Sequence, residues 1–147
     1  MRGNEKNWMS VPDKPFKFIT ATSTNGAKST DMKYNVSAEI CDFNSEDLYG
    51  GSTNLLKDNS RNGYYSISHR YFHGERGRRT YANHLVKYDE NLKPISISNQ
   101  FKFSEYPIEF VTVMLELPND ELLIGVTEMD EHPLLYVFDK ENIVSIC

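Results

Sequence analysis

The sequence predicts an antiparallel all-β protein, and three observations carry that expectation. Tyr and Phe are abundant, at nine and eight of 147 residues, and bulky aromatic side chains suit a pleated, half-buried surface. Apolar and polar residues alternate in Tyr65-Ser66-Ile67-Ser68 and in Ile95-Ser96-Ile97-Ser98, the period-2 signature of a strand with one face buried. Turn residues recur at intervals of about 10 to 14, the spacing of a sandwich, barrel or propeller. No window long enough for a helix shows a 3.6 period. The length suits one domain, and such a domain buries roughly two-thirds of its unfolded surface. Its core therefore needs neither disulfide nor metal.

The strands can be placed in order. Trp8–Pro12 and Phe16–Thr22 open a looser set that ends near Ile40. Within that set, Tyr34, Val36 and Ile40 have polar residues between them and fit strand better than helix. Four strands follow at Gly51–Lys57, Tyr64–Tyr71, Thr80–Tyr88 and Pro94–Phe103. Four more follow at Phe110–Leu117, Glu121–Met129, Leu134–Asp139 and Ile143–Ile146. Turn signals separate them, among them Arg61-Asn62-Gly63, Asp89-Glu90-Asn91, Pro118-Asn119-Asp120 and Asp130-Glu131-His132-Pro133. Asn, Asp and Gly tolerate the positive φ of tight hairpins. The single β domain 1–147 thus divides into units at about 5–48, 49–104 and 105–147. Units of about 45 residues with four strands each match propeller blades. A meander within a sandwich has the same spacing.

Composition narrows the function. Sixteen basic against 21 acidic residues give a net charge of −5, which argues against binding a phosphate backbone. The turn His73-Gly74-Glu75-Arg76-Gly77-Arg78-Arg79, flanked by Tyr71, Phe72 and Tyr81, is the local exception. Arg76, Arg78 and Arg79 among aromatics can hold single-stranded nucleic acid; a solvated hairpin tip reads the same way. No apolar run is long enough to cross a membrane as a helix. The polar segment Met1–Asn7 is not a signal peptide, so a cytoplasmic location is expected, with Cys41 and Cys147 as free thiols. His69, His73, His84 and His132 are too dispersed for a metal site. Neither metal nor cofactor is expected.

Several short segments resemble a known group. Glu5-Lys6-Asn7-Trp8-Met9 is similar to the EKNW segment of the five-bladed β-propeller glycosidases and mannoside phosphorylases, a group that often occurs beside glycosyltransferases. Gly50-Gly51-Ser52 resembles its RGGS segment, and Gly63–His69 its GYLALVHE segment. Tyr81–Asp89 is similar to YYHRFVLFD, Ile108-Glu109-Phe110 to IEF, and Asn119–Gly125 to GDLLITFG. The resemblance spans about residues 5–138 and covers the later three blades. It implies a partial β-propeller whose ligand is a glycan or sugar phosphate. The departures are chemical. Tyr49 or Gly50 replaces one Arg, Leu85 replaces another, and Arg70 replaces a Glu. Arg makes the bidentate contacts that phosphate recognition favours, so phosphorolysis by the lone chain is not expected.

These segments place Asn7, Trp8, Ser52, His69 and His84 as candidate ligand-binding residues and Glu109 as the candidate catalytic carboxylate. A Trp face stacks on a sugar ring, and Asn, Ser and His bind hydroxyls. A lone Trp is more often core than ligand platform, and sheet histidines are more often satisfied structural residues than ligands. His69 and His84 fall on adjacent strands and are expected to approach each other. Glu109 lies in an apolar run, and a buried carboxylate needs a partner. Glycoside cleavage needs a second carboxylate, and none stands out. Two functions follow: a glycan-binding protein of propeller-glycosidase ancestry, or a non-catalytic interaction and assembly module. Three units cannot close a ring and leave strand edges bare, so self-association as a dimer is expected.

Overall fold

The computed structural model describes residues 9–14, 17–23, 26–31, 36–38, 49–73, 77 and 79–147, with backbone alone for 20–23, 26–31 and 36–38. The strands are β1 (Met9–Ser10), β2 (Lys17–Ser23), β3 (Gly26–Asp31), β4 (Val36–Ala38), β5 (Tyr49–Gly51), β6 (Leu56–Asp58), β7 (Gly63–His73), β8 (Arg79–Tyr88), β9 (Pro94–Ile97), β10 (Glu109–Leu117), β11 (Glu121–Glu128) and β12 (His132–Asp139). One short helix, α1 (Lys140–Val144), follows β12. The molecule is all-β, and its strand pairs are antiparallel. No helix among the described residues is long and apolar enough to cross a membrane.

Among the described residues the strands form two sheets, and neither closes on itself. The larger runs β4-β3-β2-β5-β7-β8-β9, with β1 beside β2 and β6 beside β7. Pairing of Ala21 with Gly50 and Thr22 with Tyr49 joins the first set of strands to the second. The smaller sheet is β10-β11-β12.

The long strands β7 and β8 lie at the centre and are buried on both faces. Side chains alternate across a strand, so neighbouring Tyr64 and Tyr65 enter different cores. Tyr64 joins Met9, Val11, Ile19, Leu55, Val86, Tyr88 and Leu92. Tyr65, Ile67 and Leu85 meet Val111, Met114, Leu122, Ile124 and Val126 of the smaller sheet, with Ile143 of α1. Gly63 opens β7 because a Cβ there would collide with the Tyr88 carbonyl oxygen.

Several sequence expectations need correction. Ile143–Ile146 is not a strand: it falls in α1 and the turn after it, where only Ile143 is buried, so the third unit, 105–147, has three strands rather than four. The segment Gly51–Lys57 divides into β5 and β6. Between them the Thr53 N–H donates to the Ile67 carbonyl at 3.2 Å, and the Thr53 hydroxyl accepts the Ile67 N–H at 3.0 Å. A side chain thereby takes one rung of the ladder. Pro94–Phe103 shortens to β9, with Phe101 returning as an isolated bridge to Asn83. The ends of the first two predicted strands, at Trp8 and Phe16, lie outside the described residues.

The smaller sheet is two-sided. Its inner face carries Met114, Ile124, Leu122, Tyr136 and Phe138 against the core. Its outer face carries Leu115 opposite Leu123, Leu123 opposite Val137, and Gly125 opposite Leu135. Leu135 is 70% exposed and Val137 54%. No described element covers them.

Candidate functional site

Ser52, His69 and His84 can be placed, and so can Glu109; Asn7 and Trp8 lie outside the described residues. Ser52 follows β5, whose Gly50 and Gly51 pair with His69 and Ser68 of β7. That pairing sets the Ser52 hydroxyl 2.8 Å from His69 Nδ1. The His69 ring packs against Phe110 and Tyr81, with centroids 5.0 and 5.4 Å away. Gly50 makes room for it, since a Cβ there would stand 2.8 Å from His69 Cε1. Burial pushes the His69 imidazole down to about 4, so it is neutral at pH 7. A serine hydroxyl beside a neutral imidazole is a proton-accepting arrangement. With these aromatic walls His69 as a residue is 8% exposed.

His84 does not join this pair. Its register partner on β7 is Ser68, while His69 faces Asn83. Adjacent residues of a strand point to opposite faces, so the two histidine rings lie on opposite sides of the sheet. The expected approach of His69 and His84 does not occur. His84 Nδ1 lies 3.0 Å from the Ser98 carbonyl, which fixes the proton on that nitrogen. Its Nε2 is buried without a partner among the described residues. Burial lowers its basicity, and the Arg70 charge adds to that effect. Tyr49 meets the ring edge-on at 4.9 Å.

Glu109 opens β10 and is fully buried. Its Oε1 accepts from Asn83 Nδ2 at 2.6 Å, the Phe103 N–H reaches both oxygens at 3.0 Å, and the Ser104 N–H reaches Oε2 at 2.6 Å. Backbone donors therefore supply the partner that the apolar flanks demanded. The carboxylate anchors the 101–104 loop to β8.

Sequence reasoning missed Glu128. It stands directly opposite Glu109 across the β10–β11 pair and is 7% exposed. Counting outward from the Asn119 turn through the two apolar runs would have found it. Opposed residues of an antiparallel pair hold their Cβ atoms about 5 Å apart. Glycoside cleavage needs two carboxylates, but here Glu109 is sealed from solvent and spent on the loop.

An open cleft of about 590 Å³ lies elsewhere, where α1 meets the β6–β7 turn. Arg61, Lys87 and Lys140 line it together with Asp58, Asp120 and Glu141. Lys87 is buried and donates to the Cys147 carbonyl at 3.0 Å. Lys140 pairs with Glu116 at 2.5 Å. Ser52, His69, His84 and Glu109 do not line this cleft. At the basic turn, Arg79 stacks on Tyr71 at 5.7 Å; Arg76 and Arg78 lie outside the described residues. Among the described residues, no three His, Cys, Asp or Glu side chains gather as metal ligands. No family model, curated protein or solved structure matches this chain.

Proposed function

We propose that this chain is a non-catalytic assembly module and that its partner is a second copy of itself, bound at the uncovered side of the β10–β12 sheet. The exposed aliphatic side chains Leu135 and Val137 carry this reading. Leu135, Val137 and Leu115 lie on one face, and contiguous exposed apolar patches mark protein contacts. The β5–β9 meander and the β10–β12 sheet, packed face to face, are read as successive blade-like units of a partial propeller. The last unit is then the open end of the array, where a second chain would join. Light scattering over a concentration series tests the reading. A species of twice 17.0 kDa is expected, and Leu135→Lys with Val137→Lys should return it to single-chain mass. A wild-type monomer at the highest concentration reached would overturn it.

A second reading, glycan or sugar-phosphate binding, draws support from the open cleft. Its volume falls within the range of small-molecule sites, and its alternating cations and carboxylates offer donors and acceptors to hydroxyl groups. Binding would raise the melting temperature by mass action. A panel of mono- and oligosaccharides that leaves the melting temperature unmoved removes this reading.

A further inference from the structure

We propose that the two copies join edge to edge, β12 against β12, antiparallel about Tyr136; this rests on the assembly reading above. Two observations show which backbone groups of β12 face outward. The Lys140 N–H donates to the Asp120 carbonyl at 2.7 Å, on the β11 side. Backbone groups of a strand turn to alternate sides, so Leu134, Tyr136 and Phe138 face β11, and Pro133, Leu135, Val137 and Asp139 face away. Proline at 133 agrees, because a residue without an N–H belongs on the open side of an edge strand. The outward groups of Leu135 and Val137 have no strand beside them among the described residues.

Natural edges are guarded by lysine and other charges, by proline or by bulges, and on β12 Pro133 and Asp139 supply such guards only towards the ends of the strand. From Leu134 to Phe138 this edge has only Leu-Leu-Tyr-Val-Phe, and β11 and β12 pair without a bulge. Register follows from the sequence. A two-fold axis perpendicular to the sheet keeps each face with its like, so one residue must face its own copy. Centring on Leu135 sets Glu131 against Asp139 of the copy, which opposes like charges. Centring on Val137 sets Leu135 against Asp139. Centring on Tyr136 sets Leu135 against Val137, Leu134 against Phe138, and Tyr136 against Tyr136. The outward N–H groups of Leu135, Val137 and Asp139 then meet the carbonyls of Val137, Leu135 and Pro133. The two most exposed aliphatic side chains of β12 cover each other.

The test compares two variants with the wild type by light scattering, with circular dichroism to report folding. Val137→Pro removes one outward N–H and leaves the β11 ladder intact. Leu115→Glu charges the outer face, away from the edge. The expected result is that Val137→Pro halves the mass and Leu115→Glu does not. The reverse pattern would mean face-to-face stacking and would overturn the edge pairing while sparing the assembly reading. A monomeric wild type would overturn both. Should Val137→Pro fail to fold, Tyr136→Cys, made with Cys41→Ser and Cys147→Ser, decides. Directly opposed residues whose backbone groups face away from each other place their Cα atoms about 4.5 Å apart, within disulfide reach. An oxidised, reducible dimer supports the pairing, and its absence refutes it.

Discussion

At the scale of single residues, Glu109 and Glu128 separate two uses of a buried carboxylate. Glu109 collects a side-chain amide and the N–H groups of Phe103 and Ser104. Glu128 faces it across the strand pair, with no such donors among the described residues. Hydrogen bonds to a charged group contribute about 1.5–3 kcal/mol each, and a donor left buried and unpaired costs a similar amount. Glu109→Ala should therefore lower stability by about 3 kcal/mol in urea unfolding, with Glu109→Gln between it and the wild type. Like charges directly opposed in a sheet repel, so Glu128→Gln should leave stability unchanged or raise it by up to ~1 kcal/mol. Should Glu109→Ala instead stabilise the fold, the strain would be that of a site kept for chemistry. The burial of Glu109 was legible from Ile108, Phe110 and Val111. Its partners were not, because the positions of the Phe103 and Ser104 N–H groups depend on the path of a loop that has no period.

Elements were legible where periodicity and a turn residue agreed. β7 and β8 extend beyond the expected strands by only a few residues, and β10 and β11 differ by single residues at their ends. Their hairpins have the chemistry that tight turns demand: Asn119 and Asp120 hold positive φ of 69° and 58°, and Asp130 one of 60°. Met129, at 53°, takes the same left-handed conformation without a side chain that favours it. The expectations failed where a side chain replaced backbone, as Thr53 does between β5 and β6, and where β-branched residues suggested a strand with no neighbour to pair. Ile143 and Val144 have strand propensity, but the chain after Asp139 coils into α1 and returns Ile143 to the core. Propensity is weak against the burial of one well-placed isoleucine. Register was the other blind spot. Adjacent strands were expected to bring His69 and His84 together, but a one-residue offset sends their side chains to opposite faces.

For the whole molecule, the two buried histidines, His69 and His84, shift in the same direction, which makes its stability sensitive to acid. Burial holds His69 at about 4 against an ordinary value of 6.5, and it lowers His84 as well. Between those two values the unfolded chain binds a proton that the folded chain refuses, so stability falls as pH drops. The contribution is fully present above about 6.5 and is lost progressively down to about 4, below which both states are protonated. At about 1.4 kcal/mol per unit, His69 alone accounts for about 3 kcal/mol. Carboxylates also titrate on the acid side, so the informative quantity is a difference between chains. Urea midpoints at pH 7.5 and pH 5 should fall further in the wild type than in His69→Phe, which removes the titrating ring and keeps the contacts with Tyr81 and Phe110. Equal falls would mean that His69 is protonated without cost in the fold and that its ring is more open to water than its aromatic walls imply. A steeper fall in the wild type would place these histidines among the groups that hold the sheet together, leaving the β12 edge, which has no strand beside it among the described residues, as the surface to be matched with a partner.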